Sequence, residues 1–261
     1  MEPDKQLNQK FYDELSHDYH LLFADWDEAI REQARILDQL IRKYAKGQRD
    51  TLLDCACGIG TQAIGLAQLG YNTTATDLSP KAIARAQQEA QLRQLTNINC
   101  TTADFTQLEA SVAGSFDIVM ACDNALPHLL TDETMSQALK SIASKISPGG
   151  LFLASIRDYD EVLNTRPTST LPVIKDEGEQ RSITFQVWDW ITPDIYKVNH
   201  FTLKGQDENY ETFLRQTTYR AYQRATLSSL MSACGFKDIQ WLLPANSGYY
   251  QPIVVAHKSK I

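Results

Sequence analysis

Thr51-Leu52-Leu53-Asp54-Cys55-Ala56-Cys57-Gly58-Ile59-Gly60-Thr61 decides the fold. An apolar run ends in an acid, two glycines follow, and residues 61–69 read as a helix stopped by Gly70. Glycines there let a ligand approach the backbone, and a helix N-terminus presents free N–H groups. Working outward, residues 72–76 form a second strand closed by Asp77. Ser79 then caps a helix that has Pro80 in its first position. Residues 97–101, 116–122 and 151–156 read as further strands, and Asp132 opens a helix reaching Ile146. Upstream, Ile30, Ala34, Leu37, Leu40, Ile41 and Tyr44 recur at helical spacing. Strands alternating with helices of this length predict an α/β fold, a doubly wound parallel sheet buried on both faces.

The rhythm changes after Asp160. Residues 161–180 read as loop, and residues 182–191, 196–204 and 211–222 as consecutive aromatic and β-branched strands. Pro193-Asp194 and Gly205-Gln206-Asp207 supply the turns. A helix over 225–233 and two last strands, 238–243 and 252–256, return the chain to the first architecture. The expected domains are therefore residues 1–160 with 224–261, including a helical cap over 1–46, and an antiparallel insertion over 161–223.

The 261 residues carry 25 basic and 32 acidic side chains, a net charge of -7. An acidic chain without a basic tract is a poor partner for a phosphate backbone, so nucleic acid is not expected. No apolar run approaches the roughly 18 residues of a membrane span. The first residues lack a basic and an apolar segment, so no signal peptide is expected. The five cysteines, Cys55, Cys57, Cys100, Cys122 and Cys234, are odd in number and lack metal-site spacing. They read as small buried thiols in a reducing cytoplasm, with no metal.

Gly58 and Gly60 with Asp77 read as a nucleoside site, because a carboxylate at the end of the second strand can accept from both ribose hydroxyls. Gly58-Ile59-Gly60-Thr61-Gln62-Ala63 also fits a dinucleotide pattern, which keeps a nicotinamide-dependent dehydrogenase as one alternative. Asp54 argues against it: at the strand's end it would oppose a pyrophosphate but suit an ammonium group. Asp104-Phe105 follows the third strand, where the acid can accept from an adenine amino group and the ring can pack on the base.

In order, Leu52 to Gly60, Asp77, Ala103-Asp104-Phe105, Phe116-Asp117-Ile118-Val119 and Ser147-Pro148-Gly149-Gly150 resemble the motifs of class I S-adenosylmethionine-dependent methyltransferases. The resemblance implies a Rossmann-like seven-stranded sheet with its last strand antiparallel. It also implies S-adenosyl-L-methionine as cofactor, with S-adenosyl-L-homocysteine as its product. Asp54, Gly58 and Gly60 would surround the methionine part, Asp77 the ribose and Asp104 the adenine. Cys55, Ala56, Thr61, Leu78, Phe105 and Cys122, next to these motifs, are expected in the same site.

The rest of the chain is similar to glycine and glycine/sarcosine N-methyltransferases. Phe11-Tyr12-Asp13 and residues 19–26 resemble their cofactor-covering N-terminal segment, which brings in Tyr19 and Trp26. Residues 123–129 resemble their Asn-containing loop, and Ile156-Arg157-Asp158-Tyr159-Asp160 their Arg-Asn-Tyr-Asp segment. The insertion stands where they place a substrate lid. The resemblance implies that Arg157 binds an amino acid's carboxylate and that Asn124 helps hold the substrate. Asp123 departs from it, because some relatives have Gly there. Tyr12, Tyr219 and Tyr249 are candidates for aligning the amine, His128 for a place on the cofactor side, and Arg31 for the cofactor's carboxylate. The partner expected is thus a small amine or amino acid. Three alternatives stay open: another class I acceptor, a non-catalytic cofactor-binding module, and association into a homo-oligomer.

Overall fold

The computed structural model describes residues 3–258. Two helices, α1 (Pro3–Leu15) and α2 (Trp26–Tyr44), precede the sheet and flank a 3-10 turn at Tyr19–Leu22. The strands β1 (Thr51–Asp54), β2 (Asn72–Asp77), β3 (Ile98–Thr102), β4 (Phe116–Ala121) and β5 (Ile146–Ser155) alternate with four helices. These are α3 (Thr61–Gln68), α4 (Pro80–Leu92), the short α5 (Leu108–Ser111) and α6 (Asp132–Lys145). After α7 (Tyr159–Thr165) come β6 (Val173–Glu177), β7 (Gln180–Trp190), β8 (Ile195–Gln206) and β9 (Asn209–Arg220). The chain closes with α8 (Arg224–Ala233), β10 (Phe236–Leu242), the short α9 (Pro244–Ser247) and β11 (Ile253–Lys258).

One sheet has seven strands in the order β10-β11-β5-β4-β1-β2-β3. β1 to β5 pair in parallel, and β11 runs antiparallel to both β5 and β10. This is the fold the sequence predicts. The strands are apolar on both faces because helices cover both: Leu52, Leu53, Ile118 and Val119 are fully buried. Ser79 caps α4 as expected, accepting from Ala82 N at 3.0 Å. Strand order reverses between β1 and β4, and a crevice opens at such a switch point, outside the strands' carboxyl ends. No described helix is long and apolar enough to cross a membrane.

The second sheet, β6-β7-β8-β9, is antiparallel. Trp188, Tyr196, Val198 and Tyr219 on its inner face share one hydrophobic cluster with Phe152, Ile156 and Met231, so this sheet packs on the main core. Three details differ from the sequence reading. Residues 161–180 hold the end of α7 and the edge strand β6. Gly205 lies within β8, opposite Arg181 and Tyr210; the turn is Asp207-Glu208, with Asp207 at φ 53°. Pro148-Gly149-Gly150 is part of β5, at a register shift against β4.

Candidate active site

The glycine turn builds one wall of a cavity of about 600 Å³ at the sheet's carboxyl edge. Gly58 sits at φ 54° and donates its N–H to Asp77 Oδ2 at 2.8 Å. Asp77 Oδ1 accepts from Ser79 N at 2.9 Å, so β2's last acid ties the turn to the start of α4. Gly60 caps α3 at φ 96°. A Cβ there would lie 2.8 Å from Ile64 Cδ1, and its left-handed backbone disfavours any side chain. Cys55, Ala56, Thr61 and Leu78 line this cavity with Asp77. Cys122 and His128 close it from the β4 side, and Asp104 and Phe105 lie at its far end.

Asp54 ends β1 and is 1% exposed. Its Oδ1 accepts from Ala56 N at 3.2 Å, while Oδ2 is buried with no hydrogen-bond partner among the described residues. Burial pushes this carboxyl up to about 8; the Ala56 N–H opposes the shift and the charges of Asp123 and Asp77 add to it. A buried carboxylate with an empty lone pair is costly unless a cation or donor meets it. Asp104 is already engaged: Lys5, from α1, pairs with its Oδ2, and Thr106 N donates to Oδ1 at 2.8 Å.

A second cavity, about 530 Å³, lies between α1, the 3-10 turn and the antiparallel sheet. Tyr12, Tyr19 and Asp123 line both cavities, so the two meet at these side chains. Arg157, Asn124 and Tyr219 line the second. Arg157 donates to Tyr196 Oη at 2.8 Å and to Gln186 Oε1 at 3.0 Å, and it stacks between the rings of Trp188 and Tyr219. It has no acidic partner among the described residues. Asp158 and Asp160, its sequence neighbours, pair with Arg224 instead. A guanidinium has five donors, so N–H groups remain for an anion.

Asn124 is 3% exposed and sits at φ 67°. Its Oδ1 accepts from Arg157 N at 3.0 Å, which locks the two together, and its buried Nδ2 makes no hydrogen bond of good geometry. Asp123, at φ 57°, accepts from Tyr249 Oη at 2.7 Å, Tyr250 Oη at 2.6 Å and Gln62 Nε2 at 2.5 Å. Burial raises its pKa despite these three donors. A carboxylate offers about four acceptor sites, so one is left at the junction of the cavities. Tyr12 Oη bonds His128 Nε2 at 2.8 Å and lies 3.4 Å from Tyr219 Oη. Burial pushes the His128 ring down to about 3, which keeps it neutral.

Five candidates line neither cavity: Asp54 and Gly60, at the end of β1 and in the glycine turn, and the three that follow. Arg31 is a correction: it is exposed on α2 and pairs with Glu28 at 2.6 Å, because an acid one turn earlier lies within reach. Trp26 lies behind the glycine turn and donates to Thr61 Oγ1 at 2.9 Å. Tyr249 is fully buried behind the wall and acts through Asp123. Sequence reasoning missed Lys5, Gln186 and Tyr196 as parts of the site, and it noted Asp123 only as a departure. Asp123 follows β4 directly, and that position was a usable signal.

Residues 52–150 match the family described as "Methyltransferase domain". That stretch is a methyltransferase domain, and the seven-stranded sheet around it has the class I methyltransferase fold. The glycine/sarcosine/dimethylglycine N-methyltransferase of Actinopolyspora halophila is 27% identical over 62% of this chain and 29% of its own length. The Homo sapiens glycine N-methyltransferase is 33% identical over 58% of this chain and 55% of its own. The chain thus spans about half or less of these two relatives. A crystal structure of a Clostridium acetobutylicum S-adenosylmethionine-dependent methyltransferase superposes with TM-score 0.75 at 17% identity, covering 96% and 99% of the two chains. The methyltransferase's cofactor is S-adenosylmethionine, and the cavity under the glycine turn suits it. Its ammonium and sulfonium carry the kind of charge that would suit an ionised Asp54, whose Oδ2 has no partner among the described residues.

Proposed function

We propose that the chain is an N-methyltransferase acting on a small amino acid, of the glycine and sarcosine class. The observation that carries this is the half-buried Arg157 guanidinium, which lines the second cavity without an acid of its own among the described residues. Beside it, Asn124 Nδ2 is a buried donor whose neighbour is the Tyr219 hydroxyl and which makes no hydrogen bond of good geometry. Both demands are met by one carboxylate, and Arg binds carboxylates bidentately. In this reading Arg157 and Asn124 hold the carboxylate, and the amine lies toward Asp123, Tyr12 and Tyr219, where the two cavities join.

When bound, the cofactor supplies a methyl group on a cationic sulfur, and the amine lone pair takes it as the carbon–sulfur bond breaks. The chain's own work is positioning, since an in-line displacement depends on alignment more than on acid–base help. Asp123's remaining acceptor site is placed to take a proton or a hydrogen bond from the amine. The neutral His128 holds the Tyr12 hydroxyl. Asp54, Asp77 and the glycine turn keep the cofactor in place, and the antiparallel sheet with α1 excludes water.

Steady-state kinetics test this. Arg157→Ala should raise the KM of the amino acid by roughly 30-fold or more and leave the cofactor's KM within about threefold, since truncating one partner of a buried charge pair costs about 2–5 kcal/mol. Unchanged amino-acid kinetics would remove Arg157 from this role. No turnover with glycine, sarcosine or any other amino acid would remove the function itself.

A further inference from the structure

The second cavity is larger and more apolar than the smallest acceptors of that class require. Its volume of about 530 Å³ lies in the range that drug-sized ligands occupy, whereas glycine has no side chain beyond a hydrogen. Asp123 stands where this cavity meets the cofactor cavity, and Arg157 and Asn124 line the second alone. Beyond them the wall is apolar: Phe11 and Leu15 come from α1, Leu22 and Phe23 from the 3-10 turn and the residue after it, and Val173 from β6. Water held against such a surface is displaced favourably by an apolar group.

Polar side chains interrupt this wall; Gln33, Thr170, Thr184, Gln186 and Gln251 each have a hydrogen-bond partner, whereas His200 keeps a buried nitrogen without one among the described residues. His200 is 1% exposed and lies directly opposite Gln186 across the β7–β8 pair. Opposed side chains share a face, about 5 Å apart, so His200 stands one strand away from the Gln186 amide that holds Arg157. Its Nε2 lies 3.3 Å from Thr202 Oγ1, which accepts from Arg215 Nη1 at 3.1 Å. With the Thr202 proton directed to Nε2, the ring carries its own proton on Nδ1. That atom is buried and has no partner among the described residues. Burial and the nearby Arg215 push the ring's pKa down to about 4, so it is neutral near pH 7.

We propose that the preferred acceptor is an α-amino acid with an extended side chain, apolar along its length and offering a hydrogen-bond acceptor to His200 at its far end. This rests on the reading that Arg157 binds the acceptor's carboxylate. His200 is a specificity-determining residue in the same cavity, and glycine leaves most of that cavity empty.

The test compares kcat/KM for glycine, leucine, glutamine and isopentylamine, which is leucine without its carboxylate. Leucine and glutamine should exceed glycine by at least about tenfold, the scale of a single methylene in an apolar pocket. In His200→Leu the glutamine-to-leucine ratio should fall about tenfold, the scale of one lost hydrogen bond. A ratio within one variant does not depend on how much of it folds. Glycine equal to or better than both acids overturns this inference and leaves the amino-acid reading standing. Isopentylamine matching leucine overturns both, because the carboxylate would then do nothing. An unchanged ratio in His200→Leu removes His200 from the role, and no turnover with any of the four overturns the whole proposal.

Discussion

The two cavities differ in the charge they ask for. Under the glycine turn, the unmet buried atom is an oxygen of Asp54, and the titratable groups tied to the turn are the acids Asp54 and Asp77. Against the antiparallel sheet stand buried nitrogens of Asn124 and His200 without a good hydrogen bond, and the Arg157 guanidinium without an acid. One cavity therefore favours a cation and the other an anion, and Asp123 stands where they join. The contrast also lies in how they are built. The first uses strand ends and the turns beside them. The second collects α1, the loops after β4 and β5, and strands β7 to β9, so it exists only when the antiparallel sheet is docked.

The largest effect that bears on this contrast is expected at Asp54. In Asp54→Asn the cofactor should bind roughly 30- to 1,000-fold more weakly at pH 8.5, as when one side of a buried charge pair is removed. At pH 6.5 the deficit should be much smaller. The free carboxyl titrates near 8, so the wild-type group is mostly neutral there and must lose a proton to meet a cation. Stability follows the same sign. A carboxyl whose folded pKa is raised stabilises the fold fully below its unfolded pKa of about 3.9, and that contribution is lost as pH rises toward 8. The Tm of the ligand-free protein should therefore fall from pH 5 to 8, less steeply in Asp54→Asn. Calorimetry in buffers of different ionisation enthalpy should show proton release on binding in the wild type. An equal deficit at both pH values would break the contrast.

Asn124 tests the opposite cavity with a smaller effect. Asn124→Gly keeps the left-handed backbone at no steric cost but removes both the acceptor for Arg157 N and the spare donor. Cofactor affinity should hold within about twofold, while kcat/KM for the amino acid falls about tenfold, the scale of one hydrogen bond to a charged group. Loss of cofactor binding in this variant would mean that the cavities are not separable.

The cofactor half was the legible half, for a local reason. Asp54, Gly58, Gly60 and Asp77 act through turns next to them in the chain, so their spacing carries their geometry. The acceptor half depends on partners far apart. Asp123 is held by Gln62, Tyr249 and Tyr250, 61, 126 and 127 residues away, and no periodicity reports such a set. Arg157's freedom from acid partners follows from Arg224 taking Asp158 and Asp160, which the local sequence does not reveal. β6 was missed because an exposed edge strand lacks the alternation that one buried face imposes. Arg31 was misplaced because its nearest acid is on its own helix.

The smallest effect is expected at Lys5, which sharpens the contrast because α1 borders both cavities. Lys5 pairs with Asp104 in the first cavity, Tyr12 reaches the junction, and Phe11 and Leu15 wall the second cavity. Asp104 uses one oxygen for Lys5 and the other for Thr106 N, and a carboxylate's remaining lone pairs leave room for an adenine amino group. Lys5 therefore tethers α1 and does not have to be displaced. The pair is partly exposed, 29% and 16% for the two side chains, so its contribution should be of the order of 1 kcal/mol or less. Lys5→Ala should accelerate cofactor release, measured by stopped-flow, by at most about fivefold, with a smaller effect at high salt. Slower release instead would mean that Lys5 competes with the cofactor for Asp104, and the helix would then be a barrier to the cofactor rather than a cover over it.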